Sequence, residues 1–513
     1  MRKQFISFLV TVVTILHGQQ LPKDFDAYVE KVLATFNVPG VSVTIVKDGK
    51  AVLMKGYGVK TIGTKDKVDS KTNFSIASNT KAFVGTSIGI LVEEGKLKWN
   101  DRVVDHLPWF QLSDPYVTKE MRIIDLLVHR SGLGLGAGDL LIWPTNTYNQ
   151  KDVVKRFKNI PLATSFRSTY AYDNILYLVA GELIEAVSGM PWEQFVKTRI
   201  YDKLGMGNST LTFADAVKKG NVATPHAEVH GTVRPVAASD STKTNPAATV
   251  NTNAEDIAQW MICQIDSGKL SDGSKLFTAK TAQYLWSVQT PLPVEKVAKE
   301  LSPIQPNFAG YGAGFFLRDY RGKKLVWHTG GLSGMVSLVA MIPELRVGVA
   351  VFTNQEMSGA FYSIGWRVLD HYLGTHYDWI NAYKAMKERA DSISKSADTK
   401  TMAKRDSMSQ PSLSLKNYEG KYNDAWYGDI DIETKNGKLF LQLKATPALG
   451  GFLEHYQYNT FIVRWSDPEM RADAFITFSL NPDGSIEHAK MKAVSPSTDF
   501  SFDFHDLLLK PVK

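Results

Sequence analysis

The chain has 513 residues, 44% of them hydrophobic and 22% charged, with 38 Gly, 21 Pro, one Cys and a formal net charge of +7. This is enough chain for two or three domains with at least one large core, and it excludes wholesale disorder, a collagen-like repeat and a disulfide-dense scaffold. A single cysteine excludes an intrachain disulfide and a thiolate zinc cluster, and the mild basic excess comes with no basic stripe or module that would grip nucleic acid.

The chain begins Met1-Arg2-Lys3-Gln4, runs apolar over residues 5–16 and then turns to His17-Gly18-Gln19-Gln20. A basic start, a short apolar stretch and small or polar residues after it form a secretory signal, read here as residues 1–19. The apolar run falls short of the roughly 20 residues that span a bilayer. The expected mature protein is therefore exported, periplasmic or secreted, with no membrane span once the signal is removed.

Residues 25–36 have helical apolar spacing. Residues 41–46 and 51–57 alternate around Asp48-Gly49, a dipeptide suited to a two-residue hairpin turn. Residues 80–94 are helical in pattern, and no charge falls between Lys81 and Glu93, so this helix is expected to be buried nearly all round. A long helical and loop-rich middle follows, including the helical run 175–187. Strand-like runs then come at 314–318, 325–328, 336–342 and 347–352. Strands at both ends with helices between predict an α+β domain over residues 20–383, one antiparallel sheet flanked by helices. Cys263 falls in the apolar run Ile257-Ala258-Gln259-Trp260-Met261-Ile262-Cys263 and reads as a buried structural thiol.

Residues 384–416 contain no aromatic and are rich in Ser, Lys, Asp and Met, which predicts a linker (384–412) or a solvated helix. From 413 to 513 the pattern changes to short alternating runs at 430–432, 439–443, 461–463 and 475–478. They are split by Asn436-Gly437 and Pro482-Asp483-Gly484 turns, as in a small all-β barrel.

Three stretches carry the chemistry. Ser78-Asn79-Thr80-Lys81 opens the buried helix, and a hydroxyl and an amine three residues apart share one helix face. A desolvated lysine with a lowered pKa can act as the base that a serine nucleophile needs. The same residues also suit a plain helix N-cap with a first-turn lysine. A second Ser-x-x-Lys, Ser392 to Lys395, lies where nothing would desolvate its lysine. Tyr172-Asp173-Asn174 stands just before a helix, where a phenol can share proton work and an amide can orient lysine and substrate. Trp327-His328-Thr329-Gly330-Gly331 ends a strand on two glycines, where a substrate can lie against the edge and an N–H can meet an oxyanion.

With these three motifs in order, residues 25 to 375 resemble the serine β-lactamase and penicillin-recognising family, in the branch of class C β-lactamases, D,D-peptidases, D-aminopeptidases and related esterases (peptidase family S12-like). Phe74-Ser75-Ile76-Ala77, Leu91-Val92-Glu93-Glu94-Gly95-Lys96-Leu97 and His129-Arg130-Ser131-Gly132-Leu133 look alike as well. The resemblance implies that Ser78 is acylated, Lys81 and Tyr172 manage its proton, and Asn174, His328, Thr329, Gly330 and Gly331 bind substrate. It further implies an oxyanion hole formed by Ser78 and Gly331. No metal or other cofactor is called for, and the partner is a small molecule or peptide, such as a D-amino-acid peptide, an ester or a β-lactam. The third motif begins with His328 where class C β-lactamases usually carry lysine, which favours a peptidase, amidase or esterase. Pro246-Ala247-Ala248-Thr249-Val250 lacks the glycine pair common in relatives. The C-terminal module resembles the lipocalin-like domain that follows this catalytic domain in some relatives.

Three rival readings remain open at this point. Gly85-Thr86-Ser87-Ile88-Gly89 matches a nucleophile elbow, which requires a strand before the serine. Pro225-His226-Ala227-Glu228-Val229-His230 would place metal-ligand types on one side of a strand. The acylation chemistry without deacylation would make a non-turnover sensor, and the β module would suit wall binding. The loop Gly132-Leu133-Gly134-Leu135-Gly136-Ala137-Gly138 does not fit a phosphate-binding fingerprint and reads as a cleft rim.

Overall fold

The computed structural model describes residues 21–239 and 246–512. The expected signal, residues 1–19, lies outside these.

Helix Phe25–Phe36 buries Phe25, Val29, Val32, Leu33 and Phe36, the spacing of one helical face, and ends where Asn37 turns to φ 53°. The hairpin Gly40–Lys47 and Lys50–Gly58 turns on Asp48 (φ 51°) and Gly49 (φ 75°). Two positive φ values in a two-residue loop match the twist of the strands they join.

The chain's two ends meet in one sheet. In spatial order its strands are Lys50–Gly58, Gly40–Lys47, Val347–Thr353, Met335–Ile342, Lys323–Leu332, Phe316–Tyr320, Ala309–Tyr311 and Thr290–Pro291, all antiparallel. Strand Val347–Thr353 is buried throughout, because both sheet faces are covered. Val347, Val349 and Val351 join the core under helices Phe25–Phe36 and Ser358–Tyr372, whereas Ala350 and Phe352 join the core around helices Thr80–Glu93 and Ala254–Ile265. As its lack of charge predicts, helix Thr80–Glu93 is buried from Thr80 to Leu91. Cys263 is buried, and burial pushes its thiol up to about 12.

The stretch read as a linker or a solvated helix takes the helical form. Helix Trp379–Ala403 runs through most of residues 384–412. Its first turns bury Trp379, Ile380, Ala382 and Tyr383, and this packing nucleates a helix whose polar remainder then propagates through solvent.

After it, eight strands form a closed barrel in sequence order: Gly420–Asp424, Gly428–Lys435, Lys438–Leu443, Gly450–Gln457, Thr460–Trp465, Ala474–Leu480, Ile486–Ala493 and Leu508–Pro511. Alternation puts Ile430, Ile432, Leu439, Leu441 and Leu443 inside, and Tyr418 stacks edge-on against Phe461 and Phe478. The barrel is bonded to the larger domain at several points. The Tyr148 hydroxyl donates to the Tyr427 carbonyl (2.8 Å), Arg156 donates to that of Trp426 (3.1 Å), and Asn159 to that of Ala425 (2.8 Å). On another side Arg471 grips Glu356 through two bonds of 2.6 and 2.7 Å.

Candidate active site

A cleft of about 740 Å³ opens where the end of strand Lys323–Leu332, the turn at Ser78 and the loop before helix Ile175–Ser188 converge. Ser78, Tyr172, Asn174, His328, Thr329, Gly330 and Gly331 line it together, although up to about 250 residues separate them in sequence.

The serine turn is held from several sides. Ala77, just before Ser78, sits at φ 48°, a strained conformation for a residue with a Cβ. The Ser337 hydroxyl donates to the Ile76 carbonyl (2.7 Å) and accepts from the Asn79 amide (2.8 Å). Ile76 N–H donates to the Val250 carbonyl (2.9 Å), and Val250 N–H donates to the Thr80 hydroxyl (3.0 Å). Gly330 belongs here for a steric reason, since a Cβ on it would lie 2.1 Å from the Ile76 carbonyl oxygen.

Lys81 lies under the serine, fully buried. Its Nζ is 3.1 Å from Ser78 Oγ, 2.7 Å from Asn174 Oδ1 and 3.1 Å from the Ala247 carbonyl oxygen, and it faces the rings of Tyr172 (4.8 Å) and Tyr177 (5.1 Å). Burial brings the ammonium down to about 7, against the upward pull of Asp139 and Asp173. Burial moves Tyr172 the other way: its phenol is raised well above 10, with the bond to Ser78 only partly offsetting this. At neutral pH the lysine is thus the group that readily gives up its proton, and the tyrosine is a neutral phenol.

Asn174 is held in turn. Its Nδ2 donates to Asp139 Oδ2 (2.8 Å), which leaves Oδ1 facing the lysine. Asp139 is buried, and burial raises its carboxyl to about 7, opposed by the bonds from Asn174 and Ser501. The Ser501 hydroxyl, from the barrel domain, donates to the same Oδ2 at 2.9 Å.

His328 is neutral, since burial, reinforced by the charge of Lys81, lowers its imidazole to about 3. Nδ1 lies 2.5 Å from the Thr329 carbonyl oxygen and Nε2 lies 2.9 Å from the Tyr311 hydroxyl. A proton on Nδ1 satisfies both contacts, so neither ring nitrogen is left to grip a substrate carboxylate.

The rival constellations separate from this cleft. Ser87 is buried mid-helix with its hydroxyl bonded to the Phe83 carbonyl (2.8 Å), not at the strand-to-helix turn that a nucleophile elbow requires. His226 is buried, with Nδ1 2.9 Å from the Asn354 carbonyl oxygen and Nε2 accepting from Ile62 N–H (3.1 Å), whereas His230 sits at a turn with φ 51°. Lys395 is exposed on its helix.

Several participants escape sequence reasoning. The cleft lining takes in Asp139, which directly follows the glycine-rich loop 132–138, and this residue carries no local signal. Neither do Glu469, Arg471, Asp499, Phe500 and Ser501, which line the cleft from the barrel domain.

Residues 25–373 match the Beta-lactamase family, and residues 404–511 match a domain of unknown function, DUF3471. Among characterised relatives, the chain is 27% identical to the unguisins hydrolase UngD of Aspergillus violaceofuscus, over 90% of this chain and 86% of that one. It is 28% identical to protein Flp of Staphylococcus aureus, over 65% and 63% respectively. The octameric penicillin-binding protein homologue of Pyrococcus abyssi superposes with a TM-score of 0.60 at 19% identity, covering 95% of this chain and 99% of that one. SurE with D-Leu superposes with a TM-score of 0.52 at 16% identity, over 95% and 98%. These two likenesses extend the shared fold across both domains. With a match that takes in most of the chain, and a β-lactamase/transpeptidase-like sheet, the protein belongs to the beta-lactamase family of serine hydrolases.

Proposed function

We propose that the protein is an exported hydrolase of S12-like type that cleaves amide or ester bonds through a covalent ester on Ser78. One observation carries this reading: a buried lysine of lowered pKa stands 3.1 Å from a serine hydroxyl in an open cleft. Neutral Lys81 takes the Ser78 proton as Oγ bonds to the substrate carbonyl carbon. The oxyanion is met by the N–H groups of Ser78 and Gly331. The resulting ammonium, through the Tyr172 hydroxyl, returns the proton to the leaving amine or alcohol as its bond to carbon breaks. Water then hydrolyses the ester by the same route in reverse. Lys81 is the primary base, because the phenol of Tyr172 is held protonated.

The substrate is a peptide, a D-amino-acid amide or an ester in preference to a β-lactam. His328 offers no cation to a substrate carboxylate. Along the cleft lining Glu356 engages Arg471 and Glu469 engages Arg234, while Asp139 and Asp499 add acidic groups. Neutral and amine-bearing substrates suit such a surface better than acids. A relative described as a hydrolase of unguisins and another holding D-Leu are consistent with this class. Sequential closure of eight strands supports a lipocalin-like reading of the barrel. Export, to a periplasm or the exterior, rests on residues 1–19.

Peptide-mapped mass spectrometry after treatment with a serine-reactive fluorophosphonate tests the mechanism. An adduct on Ser78 is expected, followed by turnover of D-amino-acid amides or short esters. One acylation per molecule without turnover would instead indicate a sensor, and no adduct on folded protein would overturn the acyl-serine reading.

A further inference from the structure

The barrel domain does more than sit beside the cleft. Residues 499–503 dock into the loop around Gly136–Leu140 of the larger domain. Asp503 accepts from Gly138 N–H (2.7 Å) and Leu140 N–H (3.1 Å), and the Phe500 ring meets that of Tyr172 edge-on at 5.9 Å. A Cβ on Gly136 would lie 2.6 Å from the Phe500 carbonyl oxygen, so the two segments are in close contact. Between these anchors the Ser501 hydroxyl reaches Asp139.

We propose that Ser501 is a positioning residue for the catalytic lysine, acting through the hydrogen-bonded chain Ser501–Asp139–Asn174–Lys81. The inference rests on the acyl-serine reading above. The two ends of an asparagine amide have nearly the same shape, so an acceptor on one side decides which end faces a neighbour. Asp139 Oδ2 takes Asn174 Nδ2, and this turns the amide oxygen towards Lys81 Nζ. Asp139 is itself buried, and among the described residues its Oδ1 has no partner, so Ser501 and Asn174 are what hold this carboxyl in place. A hydroxyl donated across the domain boundary thus fixes the carboxyl, the carboxyl fixes the amide, and the amide fixes the amine. This gives the C-terminal domain a part in the reaction centre itself.

The test is the rate of Ser78 labelling by a fluorophosphonate in the full-length protein. Ser501→Ala is expected to slow labelling roughly tenfold, as for loss of a hydrogen bond to a charged group, and Ser501→Thr to restore most of the rate. In an Asp139→Asn background, Ser501→Ala should cost nothing further. The pH profile adds a readout that loosened packing would not move. Asp173, His129, His328, Tyr172 and Tyr177 also face the lysine, but Ser501 bonds only Asp139 among these groups. Its hydroxyl favours the ionised carboxyl, whose charge keeps Lys81 protonated, so its removal should move the midpoint of the acid limb to lower pH. Arg156→Ala, which breaks barrel contacts outside the cleft lining, should leave that midpoint in place. Labelling of Ser501→Ala at the wild-type rate and midpoint, or full additivity with Asp139→Asn, would overturn the proposal. Failure of wild-type Ser78 to label would instead overturn the acyl-serine reading beneath it.

Discussion

Ser78 and Lys81 are three residues apart, and their meeting follows from helix geometry alone. Ser78→Ala should abolish turnover while leaving the thermal transition in place, because the hydroxyl is no part of the core. Lys81→Ala and Tyr172→Phe should each lower kcat/KM by at least about a hundredfold, the loss of general acid–base help. With Lys81 near 7 and active when neutral, the rate should climb as pH rises through about 7 in a pH–rate profile. What the sequence shows at this scale is set by range. Tyr172 and Asn174 are visible because their motif is compact and stands at a helix start. Asp139 is not, since one aspartate after a run of glycines looks like any loop residue until Asn174 and Ser501 are found against it. The motif of His328 predicts its place at the cleft, but its bonds to Tyr311 and Thr329 depend on a neighbouring strand that no local pattern reveals.

Helix Thr80–Glu93 shows what an element contributes. Its uncharged run between Lys81 and Glu93 gave its burial in advance, and the same burial desolvates the lysine at its first turn. Gly85 allows close approach: a Cβ there would stand 2.2 Å from the Ala313 carbonyl oxygen, which is backbone and cannot swing aside. Gly85→Ala should therefore destabilise the protein by about 1–3 kcal/mol in denaturant unfolding. Helix Trp379–Ala403 teaches the converse. Composition leaves its polar turns open between linker and solvated helix, and Trp379 and Tyr383, packed ahead of them, decide the conformation. Composition reports what a segment can bury, whereas helix propagation needs only a start.

For the whole molecule, the antiparallel sheet and the barrel were legible from alternating runs and turn dipeptides, but their joint construction of one cleft was not. No pattern within either domain announces that Ser501 will meet Asp139. The site leaves its mark on overall stability. Burial raises the carboxyls of Asp139 and Asp173 to about 7 from ordinary values near 4, so the folded state holds their protons where the unfolded chain has lost them. Their contribution is fully present below about pH 4 and is lost as pH rises through 7. Lys81 works oppositely: its desolvation penalty is relieved as pH rises from about 7 towards 10.5. His328, lowered to about 3 by burial, opposes these carboxyls between about pH 4 and 7, so the test is a difference: the unfolding midpoint of Asp139→Asn relative to wild type should rise across that range.

The pairing of Val41 with Thr353 across the central sheet has a further consequence, for timing. The N-terminal hairpin waits for a strand synthesised about 300 residues later, and contacts of such separation make folding slow. Until strand Val347–Thr353 emerges, strand Gly40–Lys47 lacks its partner on one side and the serine turn lacks the sheet behind it. A chain still being synthesised thus carries Ser78 on a turn that its sheet does not yet brace, and the cleft is completed only once the C-terminal strands have been made.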